Sequence, residues 1–296
     1  MLRRDFIAGL GSASAWPLAA RAQQTVPVIG FVHAGSETDA SADRVRAFSK
    51  GLSETGYVQG QNVTVEYHWL EGQYDRLPAV LAELVRRRVA VIATPANTLA
   101  AITAKAALAA IPIVFGVGED PVKLGLVGSL ARPGGNATGI NYFSQEVNAK
   151  RLGLLHELVP KAIRVGVLLN PANGPSAEIT LRDAQEAARA MRMQIHVLNA
   201  TTIGEIDAAF GVLARERSDA LFVAADPFLT SRRVQITTSA ALDRIPASYG
   251  LRLFAAAGGL MSYGADIEDS FRQAGVYTGN ILKGANSANL PVVQSA

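Results

Sequence analysis

Val26-Pro27-Val28-Ile29-Gly30-Phe31-Val32 is a short run of mostly branched apolar residues, and Arg164-Val165-Gly166-Val167-Leu168-Leu169 repeats its character past the middle of the chain. Each run has strand length and is followed by an amphipathic stretch, so each opens a series of strand–helix units. After the first, Val45, Phe48 and Leu52 share a helical face, Gly56 and Gly60 punctuate, and residues 63–67 alternate as a strand. Leu77, Leu81, Leu84 and Val85 mark a second helix, followed by a strand at 89–93, a helix at 97–110 and a strand at 111–115. A short helix is expected at 122–130, and Arg132-Pro133-Gly134-Gly135-Asn136 is a turn leading into 137–140.

The second series runs through a helix at 176–191, a strand at 194–198, a helix at 203–215 and a strand at 220–224. A helix at 231–243 and strands at 245–249 and 259–262 complete it. Strands alternating with helices give parallel sheets covered on both faces. The two series superpose by element order, 26–32 on 165–169, 63–67 on 194–198 and 89–93 on 221–224; Ile111-Pro112 even falls on Ile245-Pro246. The fold class is therefore α/β, with two doubly wound parallel-sheet lobes facing a common crevice. Residues 266–283 are amphipathic through Ile267, Phe271, Val276, Ile281 and Leu282. Their return to the first lobe would make the hinge multi-stranded. The expected division is 23–141 for the first lobe, 142–263 for the second, and 264–296 returning to the first.

Residues 1–22 have the order of an export signal: a basic head with Arg3 and Arg4, a weakly apolar stretch, and Ala20-Arg21-Ala22 before Gln23. The stretch is too short to cross a bilayer, which takes about 20 apolar residues. Arg3-Arg4 with Phe6 two positions on resembles a twin-arginine signal, and Pro17 and the modest hydrophobicity favour that over an ordinary Sec signal carrying two arginines. A periplasmic location follows. Of the 28 basic and 25 acidic residues, Arg3, Arg4, Arg21 and Asp5 lie in this segment, leaving 25 and 24 beyond it, a net charge of +1. No dense Lys/Arg run remains to recruit nucleic acid, and Arg86-Arg87-Arg88 ends a predicted helix, where cations suit the dipole. With no cysteine, disulfides, thiolate metal sites and thiol nucleophiles are excluded.

Catalytic signatures are sparse. The sequence has no phosphate-binding G-x-x-x-x-G-K-[ST] loop and no G-x-S-x-G elbow. His33, His68, His156 and His196 lack metal-ligand spacing, so no cofactor or metal is expected. Glu119-Asp120 has acid–base potential, but Asp120 before Pro121 reads better as a cap. Polar and small residues cluster instead at the predicted strand ends. Ser36, Asn97 and Thr98 are the expected ligand contacts from the first lobe, and Asn173, Ser176, Asp226 and Tyr249 from the second. Asn97, Thr98 and Ser176 lie near helix starts, where backbone N–H groups favour a carboxylate. Asp226 is placed to accept from an amino group or hydroxyl. Phe228, Tyr249 and Tyr142 supply apolar walls.

Several segments resemble the substrate-binding proteins of ABC importers, in the branch that includes tryptophan- and tyrosine-binding members. They are Gly118-Glu119-Asp120-Pro121-Val122, Gly125-Leu126-Val127, Arg132 through Gly139, Asn170-Pro171 and Gly258 through Gly264. Phe271 through Gly275, Ile281 through Ala285 and Asn289-Leu290-Pro291-Val292 complete the set. The resemblance implies a periplasmic binding protein fold of type I, holding a small solute between its lobes and passing it to the importer's permease and ATPase. The solute it implies is an amino acid or small aromatic acid, and a monomer is expected. Members usually continue past the Leu-Pro-Val segment into a further strand and helix, so an incomplete first lobe is expected here. An isomerase or hydrolase on the same plan would need a nucleophile or base that the residues do not offer. A ligand-sensing regulator would need a DNA-binding headpiece and no export signal.

Overall fold

In the computed structural model, which describes residues 26–37, 39–142 and 144–294, the two apolar runs become the first strands of two sheets. The first series builds β1 (Val28–His33), α1 (Asp39–Glu54), β2 (Thr64–Trp69), α2 (Leu77–Arg86), β3 (Val91–Thr94), α3 (Thr98–Ala107), β4 (Ile113–Val117) and β5 (Ala137–Asn141). The second builds α4 (Ser144–Leu158), β6 (Arg164–Leu169), α5 (Gly174–Ala190), β7 (Gln194–Asn199), α6 (Ile203–Arg215), β8 (Ala220–Val223) and α7 (Pro227–Ser231). It continues through α8 (Arg233–Leu242), β9 (Ala247–Tyr249), α9 (Arg252–Ala256) and β10 (Met261–Ser262). The chain then returns to the first sheet through α10 (Ile267–Leu282) and β11 (Val293–Gln294). Residues 1–22, where an export signal is expected, lie outside the described residues.

The sheets are ordered β11-β5-β4-β3-β1-β2 and β10-β9-β8-β6-β7, and every pairing is parallel. Apart from β11, the second repeats the first strand for strand. The duplication reaches into the packing. Gly30 in β1 and Gly166 in β6 are equivalent, and a Cβ on either would fall 2.7 and 2.3 Å from the leucine methyls of Leu84 on α2 and Leu213 on α6. Both strands are nearly all buried, which is why they read as continuous apolar runs rather than alternating ones. Leu84, Ile92, Ile113 and Phe115 fill one face of the first sheet, Phe31, Phe48, Val114 and Phe271 the other, and Val167, Leu213, Phe222 and Ile236 belong to the second lobe's core.

The return segment is held in two ways. Along α1 and α10 the backbones nearly touch: a Cβ on Gly275 would sit 2.1 Å from the Phe48 carbonyl oxygen. Beyond α10, Thr138 Oγ1 donates to the Leu290 carbonyl at 2.7 Å and the Gly134 N–H to the Ala288 carbonyl at 3.0 Å. The turn around Arg132 to Asn136 therefore anchors this segment, and Asn136 fixes the turn by donating to the Leu108 and Ile111 carbonyls at 2.6 and 2.8 Å.

The helix expected at 122–130 does not form. Asp120 Oδ1 accepts from the N–H of Val122 at 2.9 Å, and the Leu124 N–H bonds back to the Asp120 carbonyl at 3.0 Å. Gly125, at φ +71°, then turns the chain after a single turn.

Candidate functional site

The order 2-1-3-4-5 places a topological switch between β1 and β3, and between β6 and β8, and crevices open beyond the carboxyl ends of strands at such points. The loops there meet across the interface between the lobes, which is closed. Glu119, just after β4, is the centre of one contact. It accepts from Thr98 Oγ1 at 2.6 Å within its own lobe and from Ser176 Oγ at 2.5 Å across the gap. Asp226 is the centre of the other. As cap of α7 it accepts from the Leu229 N–H at 2.9 Å on Oδ1, which also accepts from Asn170 Nδ2 at 3.2 Å. Its Oδ2 accepts from Asn173 Nδ2 at 2.9 Å and, from the first lobe, from the Tyr74 hydroxyl at 3.4 Å. Burial raises the Asp226 carboxyl above its ordinary value, and these hydrogen bonds oppose the rise.

Between these contacts lies a cavity of about 560 Å³, counted out to its open mouth. Arg44 of α1 and Tyr142 enter it from the first-lobe side, and Asn148 and Arg151 of α4 with Ala225 to Pro227 from the second. A side cavity, about 400 Å³ when likewise counted out to its open mouth, shares Ala96, Tyr142 and Asn148 with it and is walled by Thr98, Glu119, Asn173 and Ser176. Neither arginine has a carboxylate within salt-bridge distance among the described residues. Arg151 is 1% exposed; its guanidinium lies 3.7 Å from the Phe222 ring centroid and donates to the Val223 carbonyl at 2.7 Å, while its Nε has no partner among the described residues. Burial alone pushes it down to about 9. Arg44 sits 5.7 Å from the Phe271 ring centroid and is pushed down to about 10, chiefly by burial and further by Arg233 across the cleft, with Tyr142 and Glu268 opposing the fall. The Tyr142 hydroxyl lies in the fields of both Glu119 and Arg44, and burial raises it far above its usual range.

The sequence-expected residues divide. Thr98, Asn173 and Ser176 wall the side cavity and Asp226 the main one. Asn97 is buried behind them, its Oδ1 capping α3 through the Ala100 N–H at 3.1 Å. Ser36, half-buried in the loop after β1, lines neither cavity. Tyr249 is no wall. It is fully buried in the second core, stacked on Phe254 at 4.6 Å, because its β9 position turns inward. Phe228 is likewise buried, against Gly72 of the first lobe. Four cavity residues escaped the reading as ligand contacts: Arg44, Glu119, Asn148 and Arg151. Glu119 was legible by its position directly after β4. Asn148 and Arg151, three apart on one face of α4, left no apolar stripe to mark them.

The sequence profile of a family described as ABC transporter substrate binding protein matches residues 25–296. A protein of Clostridioides difficile called "Tyrosine-binding protein" is 27% identical over 251 residues, covering 83% of this chain and 70% of that one. Among solved structures, a conserved domain protein from Vibrio cholerae O1 biovar El Tor superposes with a TM-score of 0.81 at 23% identity, covering 92% of this chain and 90% of that one. An ABC domain from Streptococcus pneumoniae in complex with L-Trp superposes with a TM-score of 0.78 at 22% identity and the same coverage.

Proposed function

The chain belongs to the ABC transporter substrate-binding protein family, and within it we propose an exported receptor that closes on a small carboxylate-bearing solute and delivers it to an importer. The observation that carries this reading is the pair of buried arginines, Arg44 and Arg151, brought to one cavity from opposite lobes with no acidic side chain among the described ones bridging them. In an empty cleft these cations, with Arg233 nearby, repel as the lobes approach. A carboxylate between them reverses the sign of that interaction and does so only in the closed form. A ligand shifts an open–closed equilibrium by such a difference in affinity and by nothing else.

The solute is an amino acid or an aromatic acid. The tyrosine-binding relative and the tryptophan complex support that range, as do Tyr142, Leu251 and Ile267 in the cavity wall. Residues 1–22 direct export to the periplasm, by the twin-arginine route. The receptor works as a monomer, docks on the permease that its ATPase subunit drives, performs no chemistry on its ligand and binds no nucleic acid. The test is a thermal-shift panel of amino acids and aromatic acids on the purified chain. Saturable stabilisation is expected, about 2.7 kcal/mol at a hundredfold excess over Kd, with the solute recovered unchanged. Consumption of the solute would replace the receptor with an enzyme.

A further inference from the structure

We propose that the main cavity selects an apolar carboxylic acid with no ammonium group beside its carboxylate, an aryl- or branched-alkyl-carboxylate in preference to the matching α-amino acid. The proposal rests on the receptor reading above and narrows its substrate class.

Unmet charge sets this preference. A carboxylate offers about four acceptor positions, two on each oxygen. Asp226, the one acid among the described side chains that line the main cavity, has all four occupied by protein donors: Asn170 and the Leu229 N–H on Oδ1, Asn173 and Tyr74 on Oδ2. An incoming ammonium would have to displace one of them. The other buried acid, Glu119, faces the side cavity, which neither Arg44 nor Arg151 lines, and it already holds Thr98 and Ser176. An α-amino acid carries its two charges on neighbouring atoms, so a carboxylate between the arginines leaves its ammonium in the main cavity. There it meets Asn148, a neutral amide, and two guanidiniums of its own sign. A buried cation without a counter-charge is strongly disfavoured.

Acids near the mouth do not change this. Asp266 and Glu268 are exposed in the outer cavity, and Asp266 Oδ1 accepts from the N–H groups of Glu268 and Asp269 at 3.0 and 3.2 Å. Glu268 shares that outer cavity with Arg44 and favours its cation through its field, but it makes no salt bridge with it and does not line the inner cavity. Apart from the uncharged hydroxyl-bearing Tyr142 and Thr230, the rest of the inner wall is small or apolar, through Ala96, Val147, Pro227, Ala265 and Ile267.

Titration calorimetry on protein freed of co-purifying solute tests this with matched pairs: 3-phenylpropanoate against phenylalanine, indole-3-propanoate against tryptophan, and 4-methylpentanoate against leucine. The acid of at least one pair is expected to bind about tenfold tighter or more than its amino acid. Binding of any amino acid as tightly as its acid overturns the proposal and leaves the receptor reading standing. Silence from every member of the panel overturns both. A neutral amide, 3-phenylpropanamide, binding as tightly as the acid also overturns the proposal, since the arginines would then not be reading a carboxylate charge. The variant Asn173→Ala frees one acceptor position on Asp226 and is expected to narrow the preference for the acid by about threefold or more. An unchanged preference shows that the filling of Asp226 does not set it.

Discussion

Ser176 at the start of α5 donates its hydroxyl to Glu119 across the cleft at 2.5 Å, and Thr98 donates to the other oxygen of the same carboxylate at 2.6 Å. Glu119 is thereby shared between the lobes, and one of its two partners exists only when they are closed. Hydrogen bonds to a charged acceptor contribute about 1.5–3 kcal/mol. Removing this one penalises the closed form alone. Ser176→Ala is expected to lower solute affinity roughly tenfold, since about 1.4 kcal/mol is a factor of ten. Small-angle scattering at one fixed, half-saturating solute concentration should give the variant a larger radius of gyration than wild type, because less of it is closed. Equal radii and equal affinities would show that the contact does not hold the lobes together.

Arg151 sets function against stability. It is buried, and among the described residues no acid pairs with it and its Nε has no partner. Replacing a buried ionic group with an apolar one of similar length is often neutral or stabilising by about 1–4 kcal/mol. Arg151→Met is therefore expected to raise the ligand-free melting temperature by a few degrees while abolishing solute binding. A fall in melting temperature would instead assign Arg151 to holding the Val223 carbonyl and the Phe222 ring in place.

Much of this was legible in the sequence, and the limits have physical causes. β1, β3, β6 and β8 announced themselves because strands buried on both faces must be continuous apolar runs. The capped helix starts gave Thr98, Asn173, Ser176 and Asp226, since a polar residue just after a buried strand has few roles other than cap or contact. The same rule overreached at Tyr249, where one residue of register turns a side chain from crevice to core. What it could not foresee at Asp226 is the set of protein donors, Asn170, Asn173, Tyr74 and the Leu229 N–H, that the carboxylate already holds in the closed form. Arg44 and Arg151 were invisible for a different reason. A charged residue on a helix is ordinarily solvated, whereas Arg151 is packed on Phe222 and the Val223 carbonyl of its own lobe and Arg44 lies over Phe271.

The union of α1 with α10 depends on absent side chains. A Cβ at Gly51 would lie 1.8 Å from the Arg272 carbonyl oxygen, and one at Gly275 2.1 Å from that of Phe48. Both obstacles are backbone and move only if the helices separate. Gly275→Ala is expected to destabilise the protein by about 1–3 kcal/mol, the usual range for overpacking, despite the better helix propensity of alanine. Urea denaturation measures it. A gain in stability would mean that the two helices can slide apart at no cost.

His33 couples stability to acid. Its ring is enclosed by Phe31, Trp69 and Phe271, with Trp69 at 5.4 Å, and its Nδ1 accepts from the Gly35 N–H at 3.0 Å. Burial first, and the nearby Arg44 second, push it down to about 3 from an ordinary value of 6.5. Between those two values the unfolded chain binds a proton at this site that the folded protein does not. Stability from this group is thus fully present above pH 6.5, declines as pH falls through the window, and levels off below about 3. Within the window the loss is up to about 1.4 kcal/mol per pH unit. His33→Phe keeps the aromatic contacts and removes the titration, while giving up the acceptor for Gly35, so it starts slightly less stable at pH 7. Its deficit is expected to shrink and then reverse as chemical denaturation is repeated from pH 7 to pH 4. Asp226 and His68 also shift with folding, but they do so in both proteins and cancel in the comparison. Parallel pH profiles for the two proteins would place the His33 ring in contact with water.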